Sequence, residues 1–437
     1  MLASLEGPVS SERERKPLGF ISLLTLGING TIGVGIFFAP SAVAAQLPGP
    51  SGAWVFLLAG LALLPVGLIY GRLGGRFAED GGPYVWARLA FGPKIAFLLG
   101  FLTYISSVFS AATVITGLST HMSGALGPEF PLGQKAIGVL CVLVFASVAA
   151  TGLKLSAVAW TSITILKLLP LIMLSVLGIA AVATSSLPAL PAVAQAQDSN
   201  LGRALLIVVF ALTGFEVVPV LAGSSHSQRS MPWAVVGTLA SCMLFYGVLH
   251  ALCAIAVPDL AGHKAPLVAA AGVFSGESSA RIVSIGQLVS AIGIAFGQTV
   301  TTPRYLAALG RADALGEWFG REDVRRVPQR ALWVTATGVV VAVLREDLGG
   351  LFALASIATL AQYTVATLAL AMLAHRGYHG IARSERFWAV PAMLGIVLVA
   401  QGAELKELVT TVVVTAIGAV ILFIRRSAVP TQAADRG

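Results

Sequence analysis

Three short stretches hold residues whose types and spacing could do chemistry in an apolar setting. The first is Gly30-Thr31-Ile32-Gly33-Val34-Gly35-Ile36-Phe37, preceded by Gly27 and followed by Phe38-Ala39-Pro40. Glycine costs a helix about 1 kcal/mol relative to alanine and admits backbone shapes that other residues resist. Gly33 and Gly35 therefore mark a place where a helix can unwind; the plainer reading is that they let a neighbouring helix approach closely. The second stretch, Phe210-Ala211-Leu212-Thr213-Gly214-Phe215-Glu216-Val217-Val218-Pro219, is weakened at Gly214 and Pro219 and carries a carboxyl at Glu216. An unwound turn exposes N–H groups at the start of one half-helix and C=O groups at the end of the other. The first attract a carboxylate and the second an ammonium, and an amino acid offers both. The third stretch is Thr164-Ile165-Leu166-Lys167-Leu168-Leu169-Pro170, with Lys167 deep in an apolar run. An ionisable group at membrane depth is costly and points to function, here the uptake and release of a proton; a snorkelling lysine is the alternative. Glu216 reads either as a proton site or, preferably, as a brace accepting N–H groups freed by the break.

The elements that must position these residues follow from composition. Of 437 residues, 57% are hydrophobic and 11% charged, against about 25% charged in soluble domains. Such a chain must be solvated by lipid. Apolar runs lie near 18–46, 51–71, 95–120, 135–151, 157–184, 202–222, 233–257, 281–307, 330–344, 350–374, 387–402 and 407–424. In lipid each backbone polar group must be paired within a helix or a closed barrel. These runs lack the alternation of barrel strands, so an all-α membrane protein of about twelve transmembrane helices is expected. The two interrupted helices stand five spans apart, which suits an inverted repeat with a binding site at the membrane midplane.

Charge gives the orientation. With cytoplasmic termini, 21 of the 28 Lys and Arg fall inside and six outside, Lys167 being within a span. Positive residues favour the cytoplasmic side. This distribution explains the net charge of +8 without a nucleic-acid partner, and the first span reads as retained rather than as a signal peptide. Cys141, Cys242 and Cys253 lie in apolar runs and read as small buried hydrophobes. His121, His226, His250, His263, His375 and His379 read as interfacial. Nothing has metal-ligand spacing, so no metal or cofactor is expected, and no cluster of polar groups suggests an enzyme. Residues 72–94, with Tyr84, Trp86 and Phe91 among charges, predict a short amphipathic helix lying at the interface. The charged stretch 308–329 predicts a helical interface segment, and the outer loop 258–280 a short helix.

These stretches resemble the amino acid–polyamine–organocation superfamily of permeases. Gly30 through Phe37 is similar to its first-helix motif and Phe210 through Glu216 to its sixth. Gly81-Gly82-Pro83-Tyr84 with Ala90-Phe91-Gly92-Pro93 resembles its first cytoplasmic loop, and Arg304-Tyr305-Leu306 with Ala308-Leu309-Gly310-Arg311 the end of its eighth helix. The resemblance covers roughly residues 18–375. It implies a cytoplasmic tail at 1–17, a five-helix repeat at 18–184, an inverted second repeat at 201–375, peripheral helices eleven and twelve at 387–424, and a cytoplasmic tail at 425–437. Helices one and six would be unwound. It implies carboxylate binding at the amides of Val34, Gly35 and Ile36 beside Gly33, and ammonium binding at carbonyls of Ile32, Phe210, Ala211 and Thr213 beside Gly214. Phe210 would cover the site as an aromatic gate. Lys167 resembles the fifth-helix lysine of proton-coupled or sodium-independent members, bridging the first-helix break to the eighth helix where related transporters hold sodium. The loop Ala222-Gly223-Ser224-Ser225-His226-Ser227-Gln228-Arg229-Ser230 departs from the family, which usually has an acid and an Asn-Pro pair there.

A side-chain pocket is expected from Tyr104, Ile105 and Phe109 of the third span and Ile292 and Ile294 of the eighth. No second buried acid is available to pair with a cationic side chain. The expectation is a secondary transporter of small neutral L-amino acids in the inner membrane, working by alternating access with protons as partner. A cationic amino acid or polyamine exchanger is the alternative. A non-transporting sensor on the same scaffold is the alternative of a different class.

Overall fold

The computed structural model describes residues 19–33, 35–77, 82–127, 131–152, 157–184, 199–216, 218–219, 230–311, 315–378 and 380–428. Among these no strand occurs. The helices are α1 Phe20–Thr31, α2 Gly35–Ala44, α3 Ala53–Arg76, α4 Pro83–Phe91, α5 Pro93–Leu126, α6 Gln134–Ala150, α7 Ala157–Ala183, α8 Leu201–Leu212, α9 Ser230–Ala256, α10 Pro266–Arg311, α11 Glu317–Gly320, α12 Gln329–Arg345, α13 Leu348–His375, α14 Ala389–Ala400 and α15 Leu405–Ala428. Six helices among the described residues are long and apolar enough to cross a membrane, and a seventh is gained if α1 and α2, bent by 56°, form one span. The chain is a multi-pass membrane protein. The helices follow the twelve apolar runs in order, although α8 and α14 have only 12 residues each.

The helix ends follow local chemistry. Asn200 Oδ1 accepts the Arg203 N–H at 2.9 Å at the start of α8, and Asp347 Oδ1 accepts the Gly350 N–H at 2.7 Å at the start of α13. Both are N-cap bonds that satisfy donors the helix itself leaves free. Between helices, small residues permit close packing in lipid. One example is α3 against α9: a Cβ on Gly60 would meet Met243 at 2.5 Å, and one on Gly71 would meet the Pro232 Cα at 2.5 Å. The long helices α5 and α10 lie against each other, α5 also touching α13, α6 and α12, and α10 also touching α7, α6 and α12.

Several expectations need detail or correction. The short helix expected within 72–94 is present, and its aromatic side is covered by protein. It is α4, packed between α5 and α13, with Trp86 buried and edge-on to Tyr70 at 5.3 Å between ring centroids. Within 308–329, the residues up to Arg311 complete α10, Glu317–Gly320 forms the single turn α11, and the described loop after it is held by backbone and side-chain bonds. His250 is not interfacial: it is fully buried in α9, its Nε2 3.4 Å from the Gly49 carbonyl and its ring against Phe56. The 258–280 region does hold helix, since α10 begins at Pro266 and bends at Ser275 and Gly276. His226 and His379 lie outside the described residues.

Candidate functional site

The first apolar run breaks where the glycines predict. α1 ends at Thr31 and α2 begins at Gly35. Ile32 caps α1, its N–H on the Ile28 carbonyl at 2.8 Å, while Gly33 turns its N–H back onto the Thr31 carbonyl at 2.7 Å. Val34 lies outside the described residues. Gly35 and Ile36 are the first two residues of α2, and the first N–H groups of a helix have no partner within it. Tyr246 of α9 donates its hydroxyl to the Thr31 carbonyl at 3.0 Å, pinning the end of α1.

The sixth run breaks in the same way. α8 ends at Leu212, and Gly214 adopts φ 114°, a conformation that side chains resist. Thr213 folds its N–H and its hydroxyl back onto the Phe210 carbonyl, at 3.3 and 2.7 Å. That carbonyl is therefore the most occupied of the four expected ammonium ligands. Glu216 Oε2 accepts the Gly214 N–H at 2.8 Å and the Tyr363 hydroxyl at 3.1 Å. Glu216 thus takes one backbone N–H at the break and one side-chain hydroxyl from α13.

The two breaks touch. A Cβ on Gly214 would collide with the Gly30 carbonyl, and one on Gly35 would lie 3.1 Å from the Ala211 Cα and 3.2 Å from the Phe210 ring. Around Gly33 there is room, the nearest atom to such a Cβ being the Thr31 carbonyl oxygen at 3.8 Å, followed by Ile294 Cδ1 at 4.0 Å. Gly30 is exposed, while Gly33, Thr213 and Gly214 are half-buried, so the junction is not sealed. Ile36 is fully buried, and Phe210 is buried edge-on to Phe352 of α13 at 4.9 Å between centroids. The C-terminal ends of α1 and α8 and the N-terminal end of α2 thus meet at one place.

Lys167 is buried and donates to the Asn29 carbonyl at 2.7 Å in the last turn of α1. The half of the expected bridge that reaches the first helix is present. On the α10 side, Ser290 Oγ and both amide atoms of Gln287 are buried with no hydrogen-bond partner. These residues flank the level at which Gly286 meets Pro170 of α7. Asn29 Oδ1 and Thr31 Oγ1 are buried and unpartnered as well. Of the side-chain pocket, Ile294 reaches the break, but Tyr104 turns to α12, its hydroxyl 3.3 Å from Thr335 Oγ1, and Ile292 is exposed. Tyr246, Tyr363 and Asn29 were not singled out from sequence. A tyrosine hydroxyl buried in an apolar run needs a partner, which was the available signal. The departing loop at 221–229 lies outside the described residues.

The profile of the amino acid permease family matches residues 18–432. The chain belongs to that family. Among the relatives of this family member, cationic amino acid transporter 3, mitochondrial, of Arabidopsis thaliana is 23% identical over 378 residues, covering 81% of this chain and 62% of the relative. The chain thus spans less than two thirds of that relative's length. The serine/threonine exchanger of Bacillus subtilis is 27% identical over 311 residues, 69% of each chain. The methylthioribose transporter of the same organism is 25% identical over 396 residues, covering 85% of this chain and 84% of the relative.

Proposed function

We propose that this permease-family member is a secondary active transporter of small neutral L-amino acids, proton-coupled or sodium-independent, and not an enzyme. The observation that carries the reading is the meeting of three helix ends at Gly30, Gly35 and Gly214. The N-terminal end of α2 suits a carboxylate, and the C-terminal ends of α1 and α8 suit an ammonium. A neutral side chain is supported by Glu216, the acid at this junction, which already accepts two donors. Lys167 takes the place a coupling cation would hold, on the Asn29 carbonyl.

Twelve crossings, ten of them in two inverted five-helix repeats, are part of the proposal. If runs one to five correspond to runs six to ten, contacts must recur in related pairs. α5–α13 corresponds to α10–α7, α1–α9 to α8–α3, α5–α6 to α10–α12, and α5–α12 to α10–α6. Both members of each pair are in contact, which supports the repeat. The Lys and Arg distribution supports an inner-membrane protein with cytoplasmic termini.

The test is purified protein in liposomes, with a panel of amino acids and an imposed pH gradient. Saturable uptake of alanine, serine or leucine, driven by an inward proton gradient and indifferent to sodium, is expected. A cationic amino acid competing at lower concentration than these would contradict the substrate class. The names of the plant relatives favour a second reading, a cationic substrate, and that of the bacterial relative favours exchange. Exchange would show as uptake only into preloaded liposomes, and a sensor as binding without uptake.

A further inference from the structure

The loop at 323–329, leading into α12, is folded around one carboxylate. Asp323 Oδ1 accepts the backbone N–H groups of Arg325 and Val327, each at 2.9 Å, and Oδ2 accepts Gln329 Nε2 at 2.8 Å. Gln329 Nε2 also donates to the Ala150 carbonyl at 2.8 Å, fastening the loop to the end of α6. The turn holds Arg326 at φ 58°, uncommon for a residue of this size, and leaves Val324 fully exposed at the tip. Arg325 and Arg326 are thereby brought to the rim of a shallow cleft, with Arg304 of α10 also on it. The cleft is floored by Ala149, Val300, Pro303 and Leu332 of α6, α10 and α12. All three arginines are exposed. Among the described residues none of them forms an ion pair, whereas neighbouring Arg311 pairs with Glu322 at 2.9 Å and Arg321 with Glu317 at 3.9 Å. The two flanking helices leave large apolar side chains exposed, Leu140 and Leu143 on α6, Trp333 and Val334 on α12.

We infer that this cleft binds the phosphate of an anionic phospholipid. Guanidinium groups present forked donors that match phosphate oxygens, and basic pockets between spans at the membrane surface suit anionic headgroups. The apolar floor and the lipid-facing sides of α6 and α12 accommodate glycerol and acyl chains, which a free phosphate would leave uncovered. Val324 sits where it can enter the interface beside the headgroup. The leaflet is the cytoplasmic one in the orientation proposed above; binding itself does not depend on that orientation, nor on transport.

The experiment is native mass spectrometry of the purified full chain titrated with phosphatidylglycerol, with phosphatidylcholine and inorganic phosphate as comparison probes. The wild type is set against R304Q/R325Q/R326Q and against R383Q/R386Q, which removes charge elsewhere. Phosphatidylglycerol is expected to bind saturably and phosphatidylcholine not. Loss of all three arginines should weaken binding on the order of a hundredfold, at roughly fivefold each, and the distal double variant should bind as the wild type does. A melting temperature confirms that the triple variant is folded; should it not fold, the single variants R304Q and R325Q carry the same comparison at about fivefold each. Equal binding of both lipids, or undiminished phosphatidylglycerol binding in the arginine variants, would overturn the inference. Displacement of the lipid by millimolar inorganic phosphate would also overturn it, making the cleft a site for a free anion.

Discussion

Gly33 and Gly214 look alike in the sequence and differ in what surrounds them. Gly214 has a positive φ and presses on the Gly30 carbonyl, while Gly33 has space beside it. Gly214→Ala should therefore lose roughly 1–3 kcal/mol of stability through backbone strain and crowding, read as a lowered melting temperature in detergent. Gly33→Ala should melt as the wild type does and act only on substrate affinity, read as a raised KM for uptake. Glu216 allows a similar separation. Glu216→Gln keeps an acceptor for the Gly214 N–H and should retain substrate binding and the pH response of uptake. Glu216→Ala leaves the buried Tyr363 hydroxyl unpaired, at about 1–3 kcal/mol, frees the half-buried Gly214 N–H as well, and should lose binding. A Glu216→Gln protein that binds substrate but no longer responds to pH would move the proton to this carboxyl. Lys167→Ala removes the ammonium from the Asn29 carbonyl and should abolish proton-driven uptake; unchanged pH-dependent uptake would remove Lys167 from the mechanism. These four residues stand out in the sequence by their type and their place in apolar runs. Tyr246 and Tyr363 were not, because a hydroxyl in an apolar run announces that it needs an acceptor without saying which helix supplies it.

Ion pairs at the membrane surfaces tie helices together. Arg203, one turn into α8, pairs with Glu407 of α15 at 2.6 Å, and both side chains are largely buried. Gly202 and Gly402 approach so closely there that a side chain on either would strike the other segment. Glu407→Ala leaves Arg203 with the exposed Glu404 at 3.7 Å and the Gly402 carbonyl at 3.5 Å and should cost about 3 kcal/mol, since a buried charge loses its closest charged partner. The double variant with Arg203→Ala should recover part of that loss, and a thermal melt compares the two. At the opposite end of the bundle the 321–328 loop has its own pH dependence. The amide of Gln329, with the Val327 and Arg325 N–H groups, holds the Asp323 carboxyl below its ordinary value of 3.8. A depressed carboxyl stabilises the loop above its ordinary value and loses that contribution as pH falls through the lower folded value. Limited proteolysis within the loop should stay constant down to about pH 4 and rise below it. Helix existence and order were readable from apolar runs at this scale. The packing of α4 was not: its charged neighbours say nothing of the cover that α5, α13 and Tyr70 of α3 give it.

At the scale of the whole molecule, the apolar composition limits the chain to a multi-pass helical protein, and the skewed Lys and Arg distribution suggests its orientation. The meeting of distant segments could not be read that way. Contact between Gly30 and Gly214 joins residues far apart in the chain, and it follows from how α1, α3, α8 and α9 pack rather than from either motif. That junction implies that a substrate is recognised by its two charged ends together. The most direct measurement is competition for uptake into liposomes by a neutral amino acid, by its amide, which lacks the carboxylate, and by its N-acetyl form, which lacks the ammonium. The parent amino acid should compete and both blocked forms should fail. Either blocked form competing as well as the parent would contradict recognition by the paired helix breaks.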